Sequence, residues 1–254
     1  METVKSADGT TIAFQRSGQG PPLVIVVGAF CDHASSNHLT ALLRSSYSVL
    51  EYDRRGRGDS GDTAPYAIER EVEDLDAVVG ASGGKAFVYG HSSGGAIALE
   101  AAARGVAIRR VAVWEPPYAG ADHPGDAGAS ELAELVRSGH RAEAAERFLA
   151  YTGAPPEVVE SIKAGPGWPR MQAIAHTLPY DLILCREGRV PLDLLGRIPV
   201  PALALAGGWS AEWAPAAARA IAEAAPQGES RVVEGQHHAP ADEVLVPMLR
   251  DFFV

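Results

Sequence analysis

Ala86-Phe87-Val88-Tyr89, then Gly90-His91-Ser92-Ser93-Gly94-Gly95, then Ala96-Ile97-Ala98-Leu99-Glu100-Ala101-Ala102-Ala103 is the stretch on which the fold turns. The opening apolar run predicts a short buried strand. The residues from Gly94 onward predict a helix that stops at Gly105. A strand-to-helix turn this sharp forces one residue into a strained backbone conformation and stands its side chain at the carboxyl edge of the sheet. The Gly-x-Ser-x-Gly spacing makes that residue Ser92, and the flanking glycines let the turn close without clashes. The alternative is a plain βα loop. In this strand–turn–helix context the pattern points to a serine nucleophile and to acyl transfer.

Outward from the turn, the pattern is regular. Thr3 to Ser17 reads as a β-hairpin with Asp8-Gly9 at its tip. Strand-like runs follow at Leu23–Val27, Ser48–Tyr52, Phe87–Tyr89, Val111–Trp114, Ala202–Ala206 and Arg231–Val233. Helical patterns intervene at about His33–Arg44, Glu69–Ala81, Gly94–Arg104, Ala211–Ala224 and Ala241–Phe253. Strands that read as continuous Val/Ile/Leu/Ala runs are buried on both faces, which means a mostly parallel sheet covered by helices, an α/β fold.

The alternation stops between Pro116 and Pro199. A Gly/Asp/Pro-rich opening, Gly120 to Gly128, leads into helical patterns at Ser130–Ser138, Ala142–Thr152 and Pro156–Ala164, with no evident strand. The expected organisation is a core domain of residues 1–115 and 200–254 with a helical cap, 116–199, lying over Ser92. The alternative is an independent helical domain, which the weak core of this segment argues against.

Composition narrows the function classes. The chain has 254 residues, a formal net charge of −10 and 46% hydrophobic residues, enough for one large α/β domain with an insertion. The acidic balance speaks against a nucleic-acid or anionic-membrane surface, both of which want clustered Lys and Arg. Met1-Glu2-Thr3-Val4-Lys5 carries no secretion-signal pattern, and Leu23–Val27 is far too short to cross a bilayer. Two cysteines, Cys31 and Cys185, fit a reducing cytoplasm better than a disulfide framework. The expected partner is a small-molecule substrate, with no nucleic acid, no membrane, no cofactor and no metal; oligomeric state is not readable.

A serine hydroxyl needs a base to take its proton and a carboxylate to orient that base. Of eight histidines, His91 sits inside the turn, where packing is the expected role. His33, His38, His123, His140 and His176 fall in early-helix or insertion positions. His237 and His238 follow the last strand, where an open α/β sheet delivers groups to its carboxyl edge.

Several stretches together carry a resemblance. They are Val27-Gly28-Ala29-Phe30, Tyr52-Asp53-Arg54-Arg55-Gly56-Arg57-Gly58-Asp59-Ser60, the serine turn, and Glu234-Gly235-Gln236-His237-His238. With the hairpin start, they make the chain similar to α/β-hydrolase-fold enzymes over essentially its whole length. The resemblance implies that His238, three residues after Gly235, is the base. It also implies that the Asp53 stretch is a structural turn, and that the oxyanion hole is formed by backbone N–H groups of Ser93 and of Ala29 or Phe30. The family's usual His-Gly in that loop is replaced here by Val27-Gly28.

The family's usual acid, an Asp after the seventh strand, is missing: the stretch reads Ala206-Gly207-Gly208-Trp209-Ser210. Glu212 lies two residues on, in sequence that already reads as helix. Glu115, in Val113-Trp114-Glu115-Pro116-Pro117, is the better candidate. Some family members, certain haloalkane dehalogenases among them, carry their acid after the sixth strand. Pro116 biases Glu115 to an extended backbone, and a carboxylate at the end of a buried strand is costly unless paired. The alternative is that Glu115 only hydrogen-bonds cap backbone.

The resulting expectation is a serine hydrolase of small, partly apolar esters, lactones or thioesters, with Ser92, His238 and Glu115 as triad and an acyl-enzyme intermediate. Cys31, Trp168, Trp209 and Trp213 are candidate pocket residues, with core packing the alternative for each tryptophan. Competing readings are a non-hydrolytic cyclase, lyase or transferase on the same scaffold, and a catalytically inactive binding protein.

Overall fold

A computed structural model of the chain describes residues 1–120 and 124–254; His123 lies outside the described residues. The strands are β1 (Glu2–Lys5), β2 (Thr11–Ser17), β3 (Pro22–Val26), β4 (Ser48–Tyr52), β5 (Ala86–His91), β6 (Ile108–Trp114), β7 (Ala202–Gly207) and β8 (Gly228–Val233). They form one sheet of order β1-β2-β4-β3-β5-β6-β7-β8. The pairs β1/β2 and β2/β4 are antiparallel and the others parallel.

The continuous apolar runs fold this way because each strand feeds two cores. Val24, Val26, Val88, Val111 and Val113 face one side, where they meet α2 (Ile68–Ala81), α3 (Ser93–Ala103) and α10 (Trp213–Ala224). Their neighbours Leu23, Ile25, Phe87, Tyr89, Ala112 and Trp114 face the other side, against α1 (Asn37–Leu43) and α11 (Asp242–Phe252). Successive residues of a strand point to opposite faces, so a strand that is apolar at every position must be covered twice.

Between β6 and β7 the chain forms α4 (Gly125–Arg137), α5 (Arg141–Tyr151), α6 (Pro156–Ala164), α7 (Trp168–Ala173), α8 (Leu178–Leu184) and α9 (Leu192–Leu195). Among the described residues this insertion contains no strand. Its helices α7 to α9 are four to seven residues long, too short to leave a periodic pattern in sequence. Ala129, Leu132, Ala144, Ala145, Phe148, Leu178 and Leu182 make a core of their own, against which Ala29, Phe30 and Trp168 pack.

Beneath the insertion lies a cluster of charges. Arg54, Arg55 and Arg57 are all 0–1% exposed, as are Glu71 and Asp74, with Asp181 at 2%. Arg54 forks onto Glu71 (2.6 and 3.2 Å), and Arg55 forks onto Asp74 (both 2.8 Å). Such pairs add little net stability, but losing one partner strands a buried charge at a cost of roughly 3–5 kcal/mol. Arg55 keeps the Asp8 carboxylate at 3.1 Å when Asp74 is removed, so Asp74→Ala is expected to lower the unfolding free energy by less than that, roughly 1–3 kcal/mol, read from urea denaturation.

Candidate active site

Ser92 follows β5, the central strand, with φ 55° and ψ −129°, and its N–H donates to Trp114 O at 2.8 Å. Glu115 follows the adjacent β6 and stays tied to β7, its N–H donating to Leu205 O at 3.0 Å. Its φ is 44°, a left-handed backbone rather than the extended one that Pro116 implied. The β6–β7 ladder holds the N–H while the chain turns away into Pro116, and that tertiary bond outweighs the local preference of a residue before proline. Phe30, in the loop after β3, has φ 60°. Among the described residues, three of the five non-glycine positions with positive φ thus sit at one sheet edge. Each such position costs on the order of 1–3 kcal/mol and persists only where its surroundings over-determine it.

The carboxylate of Glu115 is 1% exposed. Its Oε2 accepts from His238 Nδ1 at 2.8 Å, and its Oε1 accepts from Gly207 N at 2.7 Å. Burial pushes the Glu115 carboxyl up; the His238 ring, the nearby Ser210 hydroxyl and the Gly207 N–H outweigh it and hold it below the usual range. Ser210, in the turn after β7, therefore lies beside this carboxylate. Glu212 is exposed at the start of α10 and takes no part. Because a carboxylate only accepts, the contact places a proton on His238 Nδ1, and in the neutral ring Nε2 is then a free base.

The loop carrying His238 is held from two further sides. A Cβ on Gly207 would come within 2.3 Å of Gln236 O, so only glycine lets β7 and this loop approach so closely. His91 bonds His238 O through Nε2 at 2.7 Å, with the two rings 4.9 Å apart. Burial foremost, then the neighbouring His238, lowers the His91 pKa from 6.5 to about 4. The ring is neutral at pH 7, with its proton on Nε2. Sequence reasoning assigned His91 to packing; it is instead a strut for the His238 backbone. Its only sequence signal is adjacency to Ser92.

His237 turns the other way, its ring 5.1 Å from that of Trp209, which is 65% exposed. Ser92 Oγ has no hydrogen bond to His238 among the described residues; catalytic contacts often tighten only with substrate bound. Gly28 lies against Ser92: a Cβ there would sit 2.8 Å from Ser92 Cβ and 3.4 Å from Oγ. No described group accepts a hydrogen bond from the N–H of Ala29 or Phe30, and Ser93, first residue of α3, has no intrahelical acceptor.

The pocket candidates separate. Trp213 packs on the core between the sheet and α10. Cys31 is half-buried against the opposite core, its thiol pushed up by burial. Trp168 packs with Ala29 and Phe30 in the insertion's apolar cluster. The groups best spaced for a metal, Asp32, His33 and Asp53, already bond one another or neighbouring groups: Asp53 accepts from His33 N (2.8 Å) and Asp59 N (2.9 Å), and Asp32 pairs with Arg170. No helix among the described residues is long and apolar enough to cross a membrane.

Residues 23–246 match the family model described as alpha/beta hydrolase family. An alpha/beta hydrolase from Sphaerobacter thermophilus superposes with a TM-score of 0.92 at 43% identity, covering 100% of both chains. A thermophilic esterase from Thermogutta terrifontis gives a TM-score of 0.76 at 23% identity over 99% of this chain and 97% of that one, a likeness of fold. Among curated proteins, the uncharacterized hydrolase YraK of Bacillus subtilis is 32% identical over 96 residues, 36% of this chain and 35% of that protein. The match therefore spans about a third of that relative's length. The chain belongs to the alpha/beta hydrolase family.

Two expectations follow. Replacing Glu115 by Gln keeps the shape but offers His238 the wrong partner, so kcat should fall by up to about 10⁴, while Glu212→Gln stays near wild type. Steady-state kinetics on one ester substrate reads both. The second concerns pH. Because folding lowers the His91 pKa to about 4 from 6.5, its neutral form favours the folded state above pH 6.5, and that contribution is lost as pH falls toward 4. Thermal melts between pH 7 and 4 should therefore fall more steeply for wild type than for His91→Gln. Parallel curves would contradict this.

Proposed function

We propose that the protein is a serine hydrolase of small, partly apolar carbonyl esters, with lactones and thioesters as the neighbouring chemistries. The reading rests above all on the 2.8 Å bond between His238 Nδ1 and the buried Glu115 carboxylate at the edge where Ser92 stands. In this reading Ser92 Oγ attacks the substrate carbonyl while His238 Nε2 takes its proton. The oxygen that becomes negative is met by N–H groups of Ser93 and of Ala29 or Phe30. Collapse of the tetrahedral adduct breaks the bond to the leaving alkoxide, which receives the proton from His238, and leaves an acyl-Ser92 ester. Water, deprotonated by the same imidazole, then releases the acid. Glu115 stays ionised throughout and stabilises the imidazolium.

Ionised, buried carboxylates of this kind are expensive to keep without a partner, and the two bonds to the Glu115 carboxylate, from Gly207 N and His238 Nδ1, give this one a reason to be where it is. Phe30, in the loop after β3, packs with Trp168 against the insertion's apolar cluster, a setting that favours acyl or alcohol groups with hydrocarbon character. The esterases among structures of the same fold agree with ester chemistry.

A fluorophosphonate probe and p-nitrophenyl esters test the reading. Wild type should be labelled on Ser92 and turn over the ester; Ser92→Ala should lose labelling and about 10⁴–10⁶ in kcat. Labelling without turnover would favour a non-hydrolytic acyl enzyme. His238→Ala should match Ser92→Ala because the two act as one unit, whereas His237→Ala, whose ring faces Trp209, should stay within about tenfold of wild type.

A further inference from the structure

Asp181, on α8 of the insertion, is 2% exposed and is linked to both segments beside Ser92, to Ser93 directly and to the loop after β3 through Arg57. Its Oδ1 accepts from Ser93 Oγ at 2.7 Å and from Arg54 Nη1 at 2.8 Å. Its Oδ2 accepts from Arg57 Nη2 at 2.7 Å. The fully buried Arg57 spends its other donors on the loop after β3: Nη1 bonds Gly28 O at 2.6 Å and Cys31 O at 3.2 Å, while Nε reaches Thr177 Oγ1, just ahead of α8, at 3.1 Å. One guanidinium thus joins the insertion to the loop that passes Ser92.

The geometry of the peptide unit gives this bond a consequence. In a planar trans peptide the carbonyl and the following N–H point in opposite directions. Drawing Gly28 O onto Arg57 therefore fixes the Ala29 N–H on the side away from the guanidinium, where no described group accepts it. The same loop carries Phe30 at φ 60°, whose ring meets Phe148 of α5 edge-on, with centroids 5.3 Å apart. The strained turn is held from the insertion at two points, one ionic and one aromatic.

We propose that Asp181 is a positioning residue for oxyanion stabilisation: one oxygen fixes Ser93, and the other, through Arg57, fixes the Gly28–Cys31 loop. The seating of the insertion then sets kcat, because the two donor segments are aligned only while α8 is docked. The proposal rests on the Ser92 reading above and deepens it.

The test compares wild type with Asp181→Asn and with the double variant Arg57→Gln/Asp181→Asn. The double variant removes one positive and one negative charge and leaves Arg54 paired with Glu71, so it avoids stranding a buried ion. Asp74→Asn is the control: it loosens a buried pair of the same kind that makes no bond to the loop after β3 or to Ser93. Each is assayed below its melting midpoint for kcat and KM on a p-nitrophenyl ester and for inhibition by an aryl trifluoromethyl ketone, whose serine adduct carries an oxyanion. Asp181→Asn and the double variant should lose about 10- to 100-fold in kcat with KM within about twofold, and ketone affinity should weaken by the same factor. Asp74→Asn should keep both. Unchanged kcat, a loss in kcat with unchanged ketone affinity, or an equal loss in Asp74→Asn would each overturn the positioning role. An enzyme that hydrolyses the ester but is never labelled on Ser92 would instead overturn the reading beneath it.

Discussion

One buried carboxylate organises the carboxyl edge of this sheet. Glu115 is ionised and nearly devoid of solvent, and so must find its hydrogen-bond donors within the protein. It finds the Gly207 N–H at the end of β7 and the imidazole of the loop after β8. Those bonds draw together three successive strand ends, and the close passage of Gln236 over Gly207 follows from them. The carboxylate stands at the end of β6, beside the strand that leads into Ser92, while Ser210 lies in the turn after β7. The imidazole is reached from a neighbouring strand end.

The second organising element is also electrostatic. Three arginines at the end of β4 and the turn after it are taken fully out of water, each held by carboxylates from α2, from α8 or from the β1–β2 hairpin. A cluster of this kind contributes little net stability compared with apolar packing. What it contributes is direction. Guanidinium groups have fixed donor geometry, and here they connect the elements that an apolar core would let slide: sheet, first helical turn after Ser92, and insertion. The apolar cores on the two sheet faces supply the stability, and the ions set which surfaces meet.

Much of this was readable along the chain. Doubly covered strands announce themselves as unbroken apolar runs, and the serine turn is local enough that its backbone strain follows from the spacing of its glycines. Glu115 was readable as a carboxylate that had no reason to end a buried strand alone. Its backbone was not, because a long-range ladder bond overrides the preference set by Pro116. Asp181 left no trace, since nothing in Leu178-Pro179-Tyr180-Asp181 tells that this acid meets arginines more than 120 residues earlier. His91 was misjudged for a related reason: its partner is a carbonyl brought near by the last loop. Local chemistry is legible in a sequence, whereas pairings made by tertiary closure are not.

Phe30, Ser92 and Glu115 share a left-handed backbone, on three different loops, at one edge of the sheet. A chain shaped by stability alone would carry glycine or asparagine at such points, and would gain from the exchange. Keeping a phenylalanine, a serine and a glutamate there sets an upper limit on how stable the fold becomes. The elements around them, a buried carboxylate, a neutral imidazole and an insertion clamped by ions, form the frame that keeps this edge from relaxing. Stability can therefore be added to this fold through the helices and the hairpin far from the edge, while the three loops stay as they are.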